Sequence, residues 1–314
     1  MSVKRVYLLL MGLMVAWGFN VSFVKILVEA VPPVTITSFR IFTAALTVFV
    51  VLSFMRQVRL PRKNELIYII GGTFTSVALH HYFLSTGLSH TSATNAGLIL
   101  GMGPLLTVLL SMIFLKKKPT LITGLGFIVG SVGVSITVLF GSGQLQGINI
   151  GDVEVFLSIL SQALSFILIN KAVKTMDPRL LTGYMLLFGS IILFILSLGM
   201  EPTGLTSLVN SISPSLIGIF LLSAVLSTGL GHMIYNYSIG QVGAAEASIF
   251  LNLNTFFSVV GAALFLNEAI VLAHYIGLVF IVSGVLMGSG TLEALVLEKR
   301  KRRIEIGTGA GHSR

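Results

Sequence analysis

The chain has no cysteine, one tryptophan and only eleven acidic residues among 314. Without cysteine there is no disulfide framework, no thiolate metal ligand and no thiol nucleophile. Charged residues make up 10% of the chain, against about 25% in soluble domains, so most of its surface must face something other than water. No His-Glu-x-x-His sequence and no close acidic pair inside an apolar run is present, which removes the usual bases for a membrane-embedded enzyme acting on lipid. No sizeable polar segment exists that could form an extramembrane receptor or scaffold domain. The net charge is +9, yet no basic stripe is interleaved with aromatics in the manner of nucleic-acid binding. The opening MSVKRVYLLLMGLMVAWGF is basic and then apolar like a signal peptide, but it lacks a small-residue cleavage site and is read as a retained first helix.

What the chain does have is apolar residues, 54% of the total, and a mean hydropathy of +0.97. They fall in runs of roughly twenty residues, the length that spans a bilayer. Ten runs are expected to be membrane helices: 6–28, 34–54, 66–87, 92–115, 120–140, 152–174, 180–199, 213–239, 244–266 and 270–290. Breaker residues mark most joints, among them Pro32-Pro33, Pro61, Pro119, Pro178, Pro202 and Pro214. The stretch from Leu297 is polar and expected to be disordered. With ten spans, Lys4 and Arg5, Arg56 to Lys63, Lys116 to Lys118, Lys171 to Arg179, and Lys299 to Arg303 all fall on one side. The other side's joints carry Glu29, Asp152, Glu154, Glu201 and Glu268. Cationic loops face the cytoplasm, so both termini are expected there, in a multi-pass protein of the cytoplasmic membrane.

The chain also repeats itself. Adding 151 to positions in the first copy turns His81 into His232, Leu88 into Ile239, Ala96 into Ala247 and Phe114 into Phe265. Earlier in the copies the offset is 146, pairing Lys25 with Lys171 and Pro32 with Pro178. Five spans per copy is an odd number, so the second copy would enter the bilayer upside down. The expected fold is therefore all-α and integral to the membrane, ten transmembrane helices in two inverted five-helix repeats. The repeats cover 1–141 and 151–290, and a basic cytoplasmic tail covers 291–314. Inverted repeats are a common build of secondary transporters, with the substrate held near mid-depth between the halves.

At this point the residues resemble the EamA family of the drug/metabolite transporter superfamily. The likeness rests on Trp17-Gly18 with Lys25, Pro32, Arg40, the run from Phe83 to Ala96, Pro104, Phe114-Leu115 and the glycines Gly124, Gly130 and Gly133. In the second copy it rests on Gly151-Asp152, Lys171, Tyr235 to Ala247, Phe265-Leu266-Asn267-Glu268, Gly277 and Gly284. Two departures stand out. The family's Gly-Glu after the fourth span is Lys116-Lys117 here, and Pro104 has Thr255 as its partner, so the two halves are not expected to bend alike. The resemblance implies a proton- or gradient-driven exporter of small metabolites, amino acids or drugs.

Polar side chains within a bilayer are costly and tend to face a cavity or a partner. The substrate-cavity candidates are Trp17, Asn20, His81, Tyr82, Asn95, His232, Tyr235, Asn236, Asn252 and Asn254. Polar residues concentrate in spans one, three, four, six, eight and nine, where His80 and Gln162 also lie. His81 and His232 sit at mirrored depths and, with Glu246, are the candidates for proton coupling; a plain interhelical hydrogen bond or, for Glu246, a helix-dipole contact is the reading each suits first. Asn252 and Asn254 are two apart, so only one of them is expected to reach the cavity. Lys25 and Glu29 are spaced to pair. Arg40 is expected to snorkel to the surface in preference to neutralising a substrate carboxylate. A metal site is not expected, because the adjacent His80 and His81 belong to different helix faces. The reading requires no cofactor and no nucleic acid. Its partners are a small-molecule substrate, the proton as candidate coupling ion, and the lipid bilayer; it sets no oligomeric state. An exporter of small metabolites or amino acids is expected, with a multidrug exporter or an importer of the same fold as alternatives.

Overall fold

The computed structural model describes residues 3–115, 120–141 and 149–288. Among these the structure is helical with no strand. The ten long helical elements are α1 (Val3–Ala30), α2 (Pro33–Phe54), α3 (66–90), α4 (Ala93–Phe114), α5 (Leu121–Phe140), α6 (Ile150–Ala172), α7 (Pro178–Met200), α8 (Pro214–Val242), α9 (Ala244–Leu266) and α10 (Leu272–Gly288). Seven of them, α1, α2, α4 and α6 to α9, are long and apolar enough to cross a membrane by length and composition. Helices α5 and α10 contain shorter apolar stretches, Gly124–Phe140 and Leu272–Met287. Helix α3 is long, but its paired histidines dilute its apolar character. A short helix at Gly204–Asn210, within a joint read from sequence as plain loop, links α7 to α8. The lysine triplet 116–118 and the tail from 289 lie outside the described residues.

Each helix is apolar nearly all round, as a helix packed on one side and bathed in lipid on the other should be. In α2 the exposed residues Phe42, Leu46, Val50 and Phe54 follow one another at four-residue spacing. Ile41, Ala44, Val48 and Leu52 are buried on the opposite side. Two opposed apolar faces give a lipid-facing stripe and a packing stripe on one rod.

The helices pair in a fixed pattern of directions. Helices α2 and α7 run antiparallel: Val34 meets Glu201, Phe39 meets Phe194 and Phe49 meets Tyr184. Helices α5 and α10 cross antiparallel on glycine; a β-carbon added at Gly133 would lie 2.8 Å from both the Gly277 carbonyl and the Ile281 nitrogen. Close backbone approach between apolar helices needs such small residues. Helix α1 runs parallel to α9, with Tyr7 on Phe250, Phe19 on Phe257 and Phe23 on Phe265. Helix α4 runs parallel to α6, from Thr91 on Asp152 to Lys171 over the Phe114 ring. Helix α6 is also antiparallel to α3, and α8 is antiparallel to α1.

Two local irregularities recur at matching places. A π-helical segment occupies Thr73–Leu79 in α3 and another occupies Leu222–Leu230 in α8, ending one residue before His80 and two before His232. Single π turns inside α-helices are frequent at functional sites. Helix α4 is broken at Gly101-Met102, just ahead of Pro104, and α9 is broken at Phe250 with no proline nearby. Both halves are therefore interrupted at matching places, with a proline beside the break only in α4. In α9 the Asn252 side-chain amide donates to the Ile249 carbonyl at 2.8 Å, satisfying a backbone acceptor at the break in place of the helix.

At one end of the bundle Glu65 is gripped by Arg59, with bonds of 2.8 and 2.5 Å, and accepts from the Arg62 backbone at 2.7 Å. The Arg59 hydrogen bond, chiefly, pushes the carboxyl down to about 2. An unfolded glutamate titrates near about 4.3, so the folded carboxyl binds its proton less tightly. Glu65 therefore stabilises fully above the unfolded value, and that contribution disappears as pH falls from there through about 2. Glu65→Gln should lower the melting temperature of the detergent-solubilised protein at pH 7 and have a shrinking effect as the melts are repeated towards pH 3. An equal effect at both pH values would show that the ion pair is not the cause.

Candidate functional site

Six helices surround a central cavity of about 70 Å³. Its wall is built by Trp17, Asn20, Val21 and Val24 of α1, His80, His81 and Leu84 of α3 and Leu100 of α4. The rest comes from Ile159, Gln162 and Phe166 of α6, His232 of α8, and Leu251 and Asn254 of α9. Both halves of the chain contribute. The π segments help shape it, because a π turn shifts the backbone hydrogen-bond register and makes carbonyls available to side chains. The Trp17 indole donates to the Ser227 carbonyl at 2.7 Å. Nδ1 of His232 lies 3.0 Å from the Thr228 carbonyl. Nδ1 of His80 lies 3.1 Å from the Ser158 carbonyl of α6 and 2.7 Å from its hydroxyl.

The aromatic groups form one continuous cluster. Trp17 packs at 5.0 Å on both His232 and Tyr235, His81 lies 5.5 Å from His232, and His80 lies 4.7 Å from His81. The expectation that His80 and His81 diverge is overturned. The two rings share the cavity wall, and ligand atoms of His80, His81 and His232 all lie within 4.8 Å of one another.

Arg40 departs furthest from its sequence reading. It does not snorkel: it is 1% exposed. One guanidinium nitrogen donates to the Thr228 hydroxyl at 2.8 Å, and another sits 3.3 Å from Nδ1 of His81. No carboxylate among the described residues pairs with it. Sequence reasoning sent it to the surface because it lies in the outer half of the second span.

Of the remaining candidates, Trp17, Asn20, His81, His232 and Asn254 line the cavity, and five do not. The Tyr82 hydroxyl faces the Met200 sulfur at 4.0 Å. Asn95 lies beside His274 of α10 at 3.2 Å. Tyr235 is fully buried behind Trp17, packed on Phe166 at 4.8 Å. Asn236 donates to Thr182 of α7 at 2.8 Å. Asn252 is used at the α9 break, so Asn254 is the member of that pair that faces inward. Glu246 is exposed at the start of α9, where it accepts from the Tyr7 hydroxyl. Lys25 pairs with Glu29 at 3.0 Å and also donates to the Leu88 carbonyl at 2.8 Å.

Within the cavity wall, several polar atoms find no partner in the protein: Nε2 of His81 and the side-chain oxygens of Asn20, Gln162 and Asn254. Buried polar groups are nearly always hydrogen-bonded. Among the described residues, four of the eleven buried side-chain atoms without a partner belong to residues that line this cavity.

A multi-pass helical bundle with a largely apolar chamber carrying a few buried polar groups at its centre is the build of a membrane transporter. The chain belongs to the EamA-like transporter family, whose model matches residues 4–139 and 149–289. It is 28% identical over 294 residues to the uncharacterized transporter YyaM of Bacillus subtilis, covering 92% of this chain and 94% of that one. An uncharacterized transporter of Archaeoglobus fulgidus is 25% identical over 269 residues, covering 86% and 93%. A protein of known crystal structure shares the fold, with a TM-score of 0.66 at 18% identity over 95% of this chain and all of the other.

Proposed function

We propose that the chain is a secondary transporter that exports small metabolites or amino acids across the cytoplasmic membrane by alternating access. The central cavity carries this reading, because both halves of the chain wall it and its polar atoms lack partners. Ten spans in two inverted repeats, 1–141 and 151–290, fit the pairing of the helices. Exchanging α1 with α6, α2 with α7, α3 with α8, α4 with α9 and α5 with α10 turns the pattern of parallel and antiparallel contacts into itself. The π segments and the helix breaks recur under the same exchange. Such a pseudo-twofold permits one half to rock against the other around a fixed site. The positive-inside charges then put both termini in the cytoplasm.

Reconstitution into vesicles tests the reading. Saturable flux is expected for at least one member of a broad panel of metabolites and amino acids, with a loss of about tenfold or more in Trp17→Ala. Absence of flux for the whole panel, with and without a pH gradient, would count decisively against it.

A further inference from the structure

We infer that the cavity takes an organic anion, a small carboxylate with an apolar body, and that Arg40 sets this preference by fixing the tautomer of His81. The inference rests on the transporter reading and names the substrate class of that same chamber. Arginine has five N–H donors and no acceptor. The His81 nitrogen facing Arg40 is Nδ1, so Nδ1 must hold the lone pair, and the neutral ring carries its hydrogen on Nε2. That Nε2–H is buried, belongs to a ring that lines the cavity and has no partner in the protein. The cavity is therefore offered a donor backed by a fixed positive charge.

The same bookkeeping decides against a metal ion, although three imidazoles converge. A ring with Nδ1 committed to a guanidinium and a hydrogen on Nε2 has no lone pair left to give. A divalent cation would also meet the Arg40 charge with no carboxylate nearby. His232 has the opposite tautomer: its Nδ1 faces a carbonyl, which can only accept, so Nε2 of the neutral ring is an acceptor. The acceptors at Asn20, Gln162 and Asn254, interchangeable with amide donors by a side-chain flip, suit a hydroxyl or amine elsewhere on the substrate.

Arg40 is a positioning residue; it stands behind His81 and is not among the residues that wall the cavity. A carboxylate bonded to Nε2 would lie about 8 Å from the guanidinium. At an effective dielectric of about 20 that attraction is equivalent to roughly thirtyfold in affinity, and a cation would be disfavoured by as much. Trp17, Leu84, Leu100 and Phe166 would take the apolar body.

The test uses the full chain in detergent and matched triplets of small molecules: acetate, phenylacetate and indole-3-acetate, each with its carboxamide and its amine analogue. At least one carboxylate should raise the melting temperature and bind at least tenfold tighter than its carboxamide, with the amine weakest. Arg40→Gln should abolish that preference. His81→Gln, whose amide N–H falls near the Nε2 position, should retain it, and His81→Phe should not. Nitrogen-15 spectra of histidine-labelled protein give a readout that needs no ligand. His81 should show a hydrogen on Nε2 in the parent chain and lose that fixed tautomer in Arg40→Gln, or in Arg40→Lys if the glutamine variant does not fold. A hydrogen on Nδ1 of His81, or stabilisation by amines or carboxamides ahead of carboxylates, overturns the inference and leaves the transporter reading standing. No stabilisation by any of the nine compounds, joined to absence of flux in vesicles, overturns both.

Discussion

A cysteine placed at Asn20 is expected to react with a membrane-impermeant maleimide at least tenfold faster once Glu201 and Glu268 are both changed to glutamine. The acceleration should appear from the face that carries those two glutamates. The parent chain has no cysteine, so the introduced thiol is the only one that can react. The two glutamates make the same grip on two different helices. Glu201 accepts from the backbone nitrogens of Val34 and Thr35 and from the Thr35 hydroxyl, at 3.0, 2.7 and 2.7 Å. Glu268 accepts from Ala93, Thr94 and the Thr94 hydroxyl, at 2.8, 2.9 and 2.6 Å. Each carboxylate thus meets free N–H groups and the positive pole at a helix N-terminus. Asn267, left-handed with φ 54°, turns the chain at the end of α9 so that Glu268 reaches α4. In this way α7 is tied to α2 and α9 to α4.

Other bonds lace the same end. Lys25 of α1 reaches the Leu88 carbonyl, Thr91 holds Asp152, and Ser211 holds the Ala30 carbonyl. At the opposite end Tyr7 of α1 reaches α9 through Glu246 and Phe250, and Tyr184 of α7 donates to the Arg59 carbonyl. Hydrogen bonds to charged groups contribute about 1.5–3 kcal/mol each. Losing two carboxylates' worth from one state and not the other moves a two-state equilibrium by roughly a hundredfold or more. Unchanged labelling, or faster labelling from the Tyr7 face, would show that these carboxylates do not hold the end closed.

Helix positions were legible in the sequence because a bilayer span has a fixed length and lipid tolerates few charges. The expected spans and the observed helices agree within a few residues, apart from the extra turn of α3 to His90 and the short helix at Gly204–Asn210. The six cavity-lining helices were legible for the same reason, since polar side chains are rare enough there to stand out. What could not be read was rotation. A π segment adds a residue to a turn without leaving a mark in the apolar pattern, so the shared wall of His80 and His81 was hidden. The α9 break carries no proline, and the role of Asn252 in it, which separates that residue from Asn254, depends on a carbonyl only the backbone reveals. Tyr235 and Asn236 are polar and buried like cavity residues, and Asn95 is half-buried, yet their contacts run to Trp17, Thr182 and His274. Sequence identifies a buried polar group more readily than its partner.

Gly18 should be the most sensitive backbone position in α1. A β-carbon there would fall 2.8 Å from the Phe257 carbonyl carbon and 2.9 Å from the Asn254 carbonyl oxygen, whereas one at Gly12 would meet nothing within 4 Å. The neighbours at Gly18 include backbone, which cannot swing aside as a flexible side chain can. Adding even a methyl group must push α9 away from α1, and overpacking of this kind typically costs about 1–3 kcal/mol. The displacement also moves Asn254, which lines the chamber beside Asn20. Gly18→Ala is therefore expected to lower the melting temperature by several degrees and to reduce vesicle flux about tenfold or more, and Gly18→Leu to reduce folded yield as well. Gly12→Leu, six residues earlier on the same helix, should melt with the parent, because its new side chain enters open space. If Gly18→Leu instead melts with the parent while Gly12→Leu does not, the packed and open faces of α1 are the reverse of those described, and the cavity wall built on that face fails with them.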